Sequence, residues 1–228
     1  MMTAVFQKQL ARSKGRFRDG ARMWAWFVGL GISLLCLGLA PVPSHAWTLS
    51  QVQQQLASRP VVRAQFEQSR WIGTMPKPLK SSGRLIMARD RGLWWQQEQP
   101  FGLTLVLTDT RMMQQVAGQA PEVMTADSSP QMFDVVRLLR AVLQADQAAL
   151  QQNFRMDFKT VDSGWHLHLQ PRTSPLDRLF DAIDLGGTAH LRTVVLKDHQ
   201  GDRTEIHFSD PLPGADVLSN AETQHFQF

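Results

Sequence analysis

The feature that most constrains the fold is a succession of short apolar runs, many of them bounded by Gly, Pro or Asp. In the first run, residues 62–67, apolar and polar side chains alternate, which is the period of two expected of a half-buried strand. Nine further runs of strand type lie at 84–89, 93–98, 101–108, 112–117, 154–161, 165–170, 180–185, 189–196 and 204–208. The pattern predicts about ten strands in antiparallel meanders.

Helical periodicity occurs in two places. Residues 49–57 form a short amphipathic pattern, with Thr48 or Ser50 as a cap and Pro60 as a stop. Residues 128–153 are apolar on most sides, and a second short helix is predicted at 147–152. We therefore expect a mainly β fold with a helical lid, in which a strongly curved antiparallel sheet is closed on its open side by two or three helices.

The first 46 residues have the form of a targeting segment. A basic stretch precedes the apolar run 23–40, and Ser44-His45-Ala46 places small residues where a signal peptidase cleaves. We expect a cleaved signal peptide over 1–46 and a single domain over 47–228, outside the cytoplasm. The alternative is an uncleaved anchor, because the apolar run has about the minimum length for a bilayer. Pro41 and Pro43 favour cleavage.

Cleavage changes the charge of the chain. It would remove six of the 24 basic and one of the 20 acidic side chains, leaving 18 and 19. A nucleic-acid partner is not expected, because it needs a dense basic surface. The single cysteine, Cys36, lies in the apolar run and lacks the neighbours of a lipoprotein processing site. We expect no disulfide, no lipid anchor and one core built by 182 residues.

A series of weak motifs resembles one family. They are Phe66-Glu67-Gln68, the strand 83–89 that starts at Gly83, Leu93-Trp94-Trp95, Gln99-Pro100, Thr108-Asp109 and the later segments 180–187 and 204–208. In this order they resemble the LolA family of periplasmic lipoprotein carriers. The likeness covers most of residues 47–228, and it is carried by the order of the motifs.

The resemblance implies a half-open β-barrel whose hydrophobic cavity holds lipoprotein acyl chains in the periplasm. It also implies an inner-membrane donor complex and an outer-membrane acceptor, and we expect a monomer. The family has an arginine at the position of Arg89 that is tied to opening and closing the lid. The chain differs at Leu93, where the family has an aromatic residue, at Asp90, where proline is common, and at 226–228, where longer carriers continue.

Arg89 also stands out without the resemblance. Alternation places Leu85, Met87 and Arg89 on one face of their strand. If that face lines a cavity, the guanidinium needs backbone carbonyls or a carboxylate as partners, because an unpaired buried charge costs several kcal/mol. The alternative is an edge arginine that is solvated or paired with Asp90.

The other candidate ligand-binding residues are apolar. They are Leu85, Met87, Leu93, Trp95, Leu103, Leu105 and Leu107 on strands, with Met132, Phe133, Val136 and Leu139 on the long helix. Seven methionines fall after residue 46, and flexible thioethers suit a cavity for varied alkyl chains. The alternative is an ordinary packed core.

Catalytic and metal-binding patterns are weak. His166 and His168 face the same way on a strand, but they have no Cys, Asp or Glu partner at ligand spacing. The carboxylates Asp177, Asp181 and Asp184 lie in a run typical of solvated turns and strand edges. The chain has no Gly-x-Ser-x-Gly elbow, phosphate loop or His-Glu-x-x-His motif. We therefore expect no cofactor, no metal and no catalytic residues.

Three functions remain open. The favoured one is a non-enzymatic periplasmic carrier that takes a lipoprotein or another lipid-like molecule toward the outer membrane. The second is a periplasmic accessory subunit or enzyme for a lipid or polyene, which would need a histidine or carboxylate beside Arg89 in the cavity. The third is a solid β-sandwich that binds another protein.

Overall fold

The computed structural model describes residues 47–73, 75–128, 133, 141 and 147–228. The predicted signal peptide, residues 1–46, lies outside this part. The described residues form one sheet of eleven antiparallel strands with short helices. None of the helices among them is long and apolar enough to cross a membrane.

The strands follow each other as two meanders. They are β1 (Val61–Trp71), β2 (Leu79–Ala88), β3 (Gly92–Gln99), β4 (Leu103–Leu107), β5 (Arg111–Val116), β6 (Glu122–Thr125), β7 (Phe154–Val161), β8 (Gly164–Pro171), β9 (Phe180–Gly187), β10 (Leu191–Asp198) and β11 (Arg203–Phe208). Their order in the sheet is β6-β5-β4-β3-β2-β1-β11-β10-β9-β8-β7. The pairing of β1 with β11 joins the two meanders, so the first and last parts of the domain meet at the centre of the sheet.

The helices whose bounds lie within the described residues are short. They are α1 (Leu49–Ala57), α2 (Gln147–Asn153), α3 (Asn220–Gln224) and the 3-10 helix Leu176–Arg178. The helix predicted at 49–57 is confirmed, with Thr48 as its cap. Of the predicted helical residues between 129 and 146, the structure describes only Phe133 and Ala141, which are both helical and buried.

The predicted mainly β fold is confirmed, with three elements that the sequence did not reveal: β6, α3 and the 3-10 helix. Strand β6 has only four residues and no clear alternation, and α3 has the sequence Asn-Ala-Glu-Thr-Gln, which carries no apolar stripe. Strand β1 extends to Trp71, beyond the alternating run 62–67. Its polar second half is fixed by pairing with β2 and β11 on either side.

Glycine permits close contact between strands near the site. A Cβ on Gly83 would lie 1.9 Å from the carbonyl oxygen of Gln96 on β3, and the register of β2 against β3 shifts between Ser82 and Gly83. Such irregularities bend a strand and increase its twist. Gly92 begins β3 at φ +124, where a side chain would be strained. These two glycines therefore shape the sheet on either side of the candidate site residues of β2.

The two faces of the sheet are covered by different parts of the chain. We call the face that carries α1 the inner face. Its core joins Val52 of α1 and Leu150 of α2 to Leu167, Ile183 and Leu185 on strands β8 and β9. The outer face has its own cluster around Ile86, Trp94 and Val106, covered by Leu218, Phe226 and Phe228 of the carboxyl-terminal segment.

A candidate lipid-binding cavity

A cavity of about 290 Å³ lies on the inner face, where α1 ends above strands β1 to β3. This volume is at the lower end of the range of about 300–1,000 Å³ found for small-molecule sites. Its lining residues come from α1 and the following turn, from five strands and from three loops: Gln55, Leu56, Ala57, Arg59, Pro60, Val62, Ala64, Leu85, Met87, Arg89, Leu93, Trp95, His190, Leu191, Phe208, Ser209 and Pro211.

The floor of the cavity is apolar because alternate residues of neighbouring strands share one face. Ala64 pairs with Leu85, and Leu85 pairs with Trp95 on the next strand. In the adjacent row, Met87 pairs with Leu93. The ring of Trp95 stacks on Phe66, with centroids 3.6 Å apart. A large aromatic side chain is thus fixed at the wall, and the small Ala64 leaves space beside it.

The cover of the cavity is the last turn of α1. Thr48 caps the start of this helix, accepting from the backbone N–H of Gln51 at 3.2 Å, and the Gln51 side chain accepts from the backbone N–H of Thr48 at 2.9 Å. At the other end, a guanidinium N–H of Arg89 donates to the carbonyl oxygen of Ala57. The backbone N–H of Arg89 also donates to the carbonyl oxygen of Pro60 at 2.9 Å. A cation at the carbonyl end of a helix is favourably placed, so Arg89 joins β2 to the end of α1.

Arg89 differs from the expectation of a buried charge. Strand β2 ends at Ala88, and Arg89 lies in the turn that follows, with an exposed side chain that still lines the cavity. Its partner is a backbone carbonyl, which was one of the two kinds of partner expected. The guanidinium therefore lies at the rim and keeps contact with water.

Two further basic residues line the same rim, Arg59 and His190. Burial lowers the pKa of His190, and the charges of Arg59 and Arg192 lower it further, while Asp210 opposes the shift. His190 lies in the loop between β9 and β10. Strand alternation does not predict which way a side chain in a loop points. Strand periodicity offers no histidine beside Arg89, whereas in the structure His190 lines the same cavity as Arg89.

The structure brings together five of the twelve predicted ligand-binding residues, namely Leu85, Met87, Arg89, Leu93 and Trp95. Three leucines of β4 are half-buried and lie opposite β3 residues, but they do not line the cavity: Leu103, Leu105 and Leu107. Phe133 is buried, at 1% exposure, and is not among the lining residues. The other three predicted helical residues, Met132, Val136 and Leu139, lie outside the described residues.

The lining residues that the sequence did not indicate come from distant segments. Phe208 reaches the cavity because β11 pairs with β1, with Phe208 opposite Phe66. The end of α1 does so because the helix lies across the sheet. The alternation of residues 204–208 was a signal for a strand, but the partner of Phe208 in the sheet, Phe66, is 142 residues away in sequence and was not predictable.

The histidines predicted to be a weak metal candidate lie on the outer face. His168 Nδ1 is 2.7 Å and His166 Nε2 is 3.4 Å from Asp184 Oδ1, and Lys197 Nζ is 3.1 Å from Asp184 Oδ2. Burial acts to raise the pKa of Asp184, but hydrogen bonds from His168 and Lys197 outweigh it and lower that pKa. Within the described part of the chain, no three His, Cys, Asp or Glu residues are grouped to hold a metal ion.

Comparison with known proteins shows similarity to carrier proteins and to solved structures. The chain is 26% identical over 187 residues to an outer-membrane lipoprotein carrier protein of Dechloromonas aromatica, covering 78% of this chain and 83% of the relative. A solved LolA superfamily protein of Nitrosomonas europaea has 7% identity and a TM-score of 0.41, covering 73% of this chain and 92% of that one. The solved Pseudomonas aeruginosa MucA/MucB complex has 15% identity and a TM-score of 0.42, and the match covers 78% of this chain and 58% of that one.

The family profile described as outer membrane lipoprotein carrier protein LolA-like matches residues 41–223. This span contains every described strand and all the lining residues of the cavity. The resemblance inferred from weak motifs is therefore confirmed. The chain belongs to the LolA-like family of outer membrane lipoprotein carrier proteins.

Proposed function

We propose that this chain is a periplasmic carrier that holds the acyl chains of a lipoprotein, or of another lipid-like molecule, in the cavity under α1 and takes them toward the outer membrane. Residues 1–46 are its cleaved signal peptide and residues 47–228 its single carrier domain. An inner-membrane donor complex and an outer-membrane acceptor are its partners. The observation that carries the proposal is an apolar cavity between a short helix and a sheet in a chain of this family.

The cavity suits an alkyl chain better than a polar substrate. Its floor is formed by Ala64, Leu85, Met87, Leu93 and Trp95, and burial of apolar surface stabilises a bound chain by about 25 cal/mol per Å². The polar lining residues are at the rim, where a head group would remain accessible. Such binding depends on area and shape, so one cavity can take chains of varied structure.

Release requires a contact that competes with cargo. A cavity that only gains from binding would retain its ligand, so a closed empty state must have comparable stability. The bond from Arg89 to the Ala57 carbonyl at the end of α1 is such a contact. In this proposal cargo displaces the last turn of α1, and the Arg89 bond helps to close the cavity again at the acceptor.

The test fills the cavity without changing its rim. Val62 is half-buried and lines the cavity, so Val62→Trp places an indole in the space for the acyl chain. The matched control is Val161→Trp on β7, at a site with 50% exposure that is remote from the cavity. Displacement of a fluorescent fatty acyl probe would measure binding. We expect at least about tenfold weaker binding for Val62→Trp, the effect of about 1.4 kcal/mol, and wild-type binding for Val161→Trp. Equal binding by both variants would refute the cavity as the site.

One observation favours the second function, an enzyme or accessory subunit. His190 lines the cavity on the rim that also carries Arg89, which is the feature that such a protein needs. Its pKa is lowered by burial, so the imidazole is more readily neutral than an exposed one. Turnover of an acyl ester that is lost in His190→Gln would support this function. Stable binding of the same ester without products would exclude it for that substrate class.

A further inference from the structure

The rim of the cavity carries an excess of positive charge. Arg59, Arg89 and His190 all line it, and the lining residues that the structure describes include no Asp or Glu. Arg59 is exposed, and no ion pair or hydrogen bond of its side chain is found among the described residues. The charge of Arg59 would therefore be stabilised by an external anion, and the half-buried His190 ring offers an N–H donor on the same lining.

The contacts around Arg89 join it to the segment that carries Arg59. The Arg89 guanidinium donates to Ala57, and the Arg89 backbone N–H donates to Pro60 at 2.9 Å. Arg59 lies between these two contact points in the sequence. Both arginines line the same cavity, Arg59 from the turn after α1 and Arg89 from the turn after β2.

One carboxylate next to the lining residues is already engaged. Asp210 lies between two lining residues, Ser209 and Pro211, but its Oδ1 is 2.5 Å from a guanidinium nitrogen of Arg192. Asp210 therefore forms an ion pair with Arg192, and among the described residues no ion pair is found for Arg59.

This local excess contrasts with the rest of the domain. Residues 47–228 contain 18 basic and 19 acidic side chains, so the domain as a whole is close to neutral. A general attraction to anionic surfaces does not account for the rim. Its charge is next to an apolar cavity, which is the arrangement that complements an amphiphile with an anionic head.

We propose that the cavity selects amphiphiles whose head group is an anion, a carboxylate or a phosphate, and that Arg59 and His190 contact this head group while the alkyl chain lies on the floor formed by β1 to β3. This inference rests on the proposed function, because it assumes that the cavity holds an alkyl chain. It adds the chemical class of the cargo.

The test compares four amphiphiles that share one alkyl chain, using calorimetry or probe displacement on the domain 47–228. They are dodecanoate, dodecyl phosphate, the neutral glycerol ester of dodecanoic acid and the cationic dodecyltrimethylammonium. We expect the anions to bind about tenfold more tightly than the neutral ester, the factor that a charge-assisted hydrogen bond gives. The ratio of dodecanoate to dodecyl phosphate identifies which anionic head is preferred.

Variants then assign the preference to the rim. Arg59→Gln and His190→Gln should each reduce the ratio of anion to neutral affinity by about threefold to tenfold, with little effect on the neutral ester. Arg59→Lys should retain most of the preference for anions over the neutral ester. The matched control is Arg91→Gln, the same loss of charge at an exposed residue that does not line the cavity. Thermal melting of each variant checks that the fold is intact.

The outcomes separate the two proposals. Equal affinity for all four amphiphiles, or preference for the cation, would overturn the inference and leave the carrier function standing. If none of the four amphiphiles binds, both the inference and the carrier function are refuted. An anion preference that Arg91→Gln reduces as much as Arg59→Gln does would also overturn the inference, because it would show a diffuse electrostatic effect rather than a head-group site.

Discussion

The two halves of the sheet use the same inner face in opposite ways. Over β7 to β10, which we call the packed half, Leu150, Leu169 and Ile183 are fully buried, at 0% exposure. Over β1 to β4, the open half, Leu93 and Trp95 are only half-buried, beside a cavity of about 290 Å³. One face of a single sheet thus supplies a close-packed core in one half and a ligand space in the other.

The difference follows from what lies on each half. Helix α2 and the 3-10 helix bring Leu150 and Leu176 onto the packed half, where both side chains are fully buried. Helix α1 belongs to both halves, because Val52 enters the packed core while Leu56 and Ala57 line the cavity. The packed half therefore anchors α1 through Val52, and the last turn of the helix lies over the cavity.

The open half is supported from the outer face. Arg63 Nε of β1 is 2.6 Å from Glu222 Oε1 of α3, and the Trp94 ring stacks on His225 with centroids 4.4 Å apart. Arg63 also donates to the backbone carbonyls of Ala215 and Val217. The carboxyl-terminal segment stabilises the strands under the cavity without occupying it.

The largest effect on stability is predicted for truncating a leucine of the packed half, compared with truncating one of the open half. Leu185→Ala should destabilise the domain by about 2–5 kcal/mol, because it leaves a void in a close-packed core. Leu93→Ala should cost less, about 1 kcal/mol, because its side chain already borders empty space and loses fewer contacts. Urea unfolding of both variants measures the difference. Equal losses would break the comparison between the halves.

The next prediction concerns the outer support. Glu222→Gln should cost about 1–3 kcal/mol, since it removes a largely buried partner of Arg63. Hydrogen bonding to Arg63 lowers the pKa of Glu222 from 4.5 to about 2. The contribution of a depressed carboxyl is complete above its unfolded pKa and disappears as the pH falls through its folded one. Unfolding measured from pH 7 to pH 2 should show the advantage of wild type over Glu222→Gln shrink between about pH 4.5 and 2. A constant difference would contradict this assignment.

A smaller effect is predicted at the start of α1. Thr48→Ala removes the cap and should lower the free energy of unfolding by about 1 kcal/mol. The loss should arise in the packed half, where this end of the helix is anchored. Ser219→Ala, the control, removes the equivalent capping box of α3 on the outer face. Denaturant unfolding measures the loss of stability in both variants. Hydrogen exchange in α1 should increase for Thr48→Ala and not for Ser219→Ala. Exchange that increased equally in α1 for the two variants would show that the faces are not independent.

The smallest effect on stability should come from Arg89→Gln. An exposed charge bonded to a carbonyl contributes about 1 kcal/mol or less, so the melting temperature should change little. Amide exchange in the last turn of α1 should nevertheless rise severalfold, while the first turn stays protected. Unchanged protection of the Ala57 and Ser58 amides from exchange would show that Arg89 does not make the proposed closing contact.

The local elements of the fold were predictable, and their long-range assembly was not. Alternation at Val62, Ala64 and Phe66 indicated a strand, and the spacing of Leu49, Val52 and Leu56 indicated α1, because both signals are carried by adjacent residues. Alternation also placed Leu85 and Met87 on the face that lines the cavity. The strand β6 and helix α3 were missed because neither has a periodic apolar pattern.

The cavity required information that no local pattern contains. His190 and Phe208 reach it only because β1 pairs with β11, a contact between the two meanders. The partial exposure of Arg89 depends on where β2 ends, and strand ends are the least certain part of such a prediction. The cationic rim joins residues from three separate segments, so sequence spacing gives no sign of it.

The most direct test of the central claim is native mass spectrometry of the domain purified from the periplasm without detergent. We expect wild type to carry acyl-containing molecules in near-equal molar amount, Val161→Trp to carry the same load and Val62→Trp to carry little. Protein free of such molecules in all three cases, with no uptake of an added acyl probe by wild type, would contradict the account of the cavity as a carrier site.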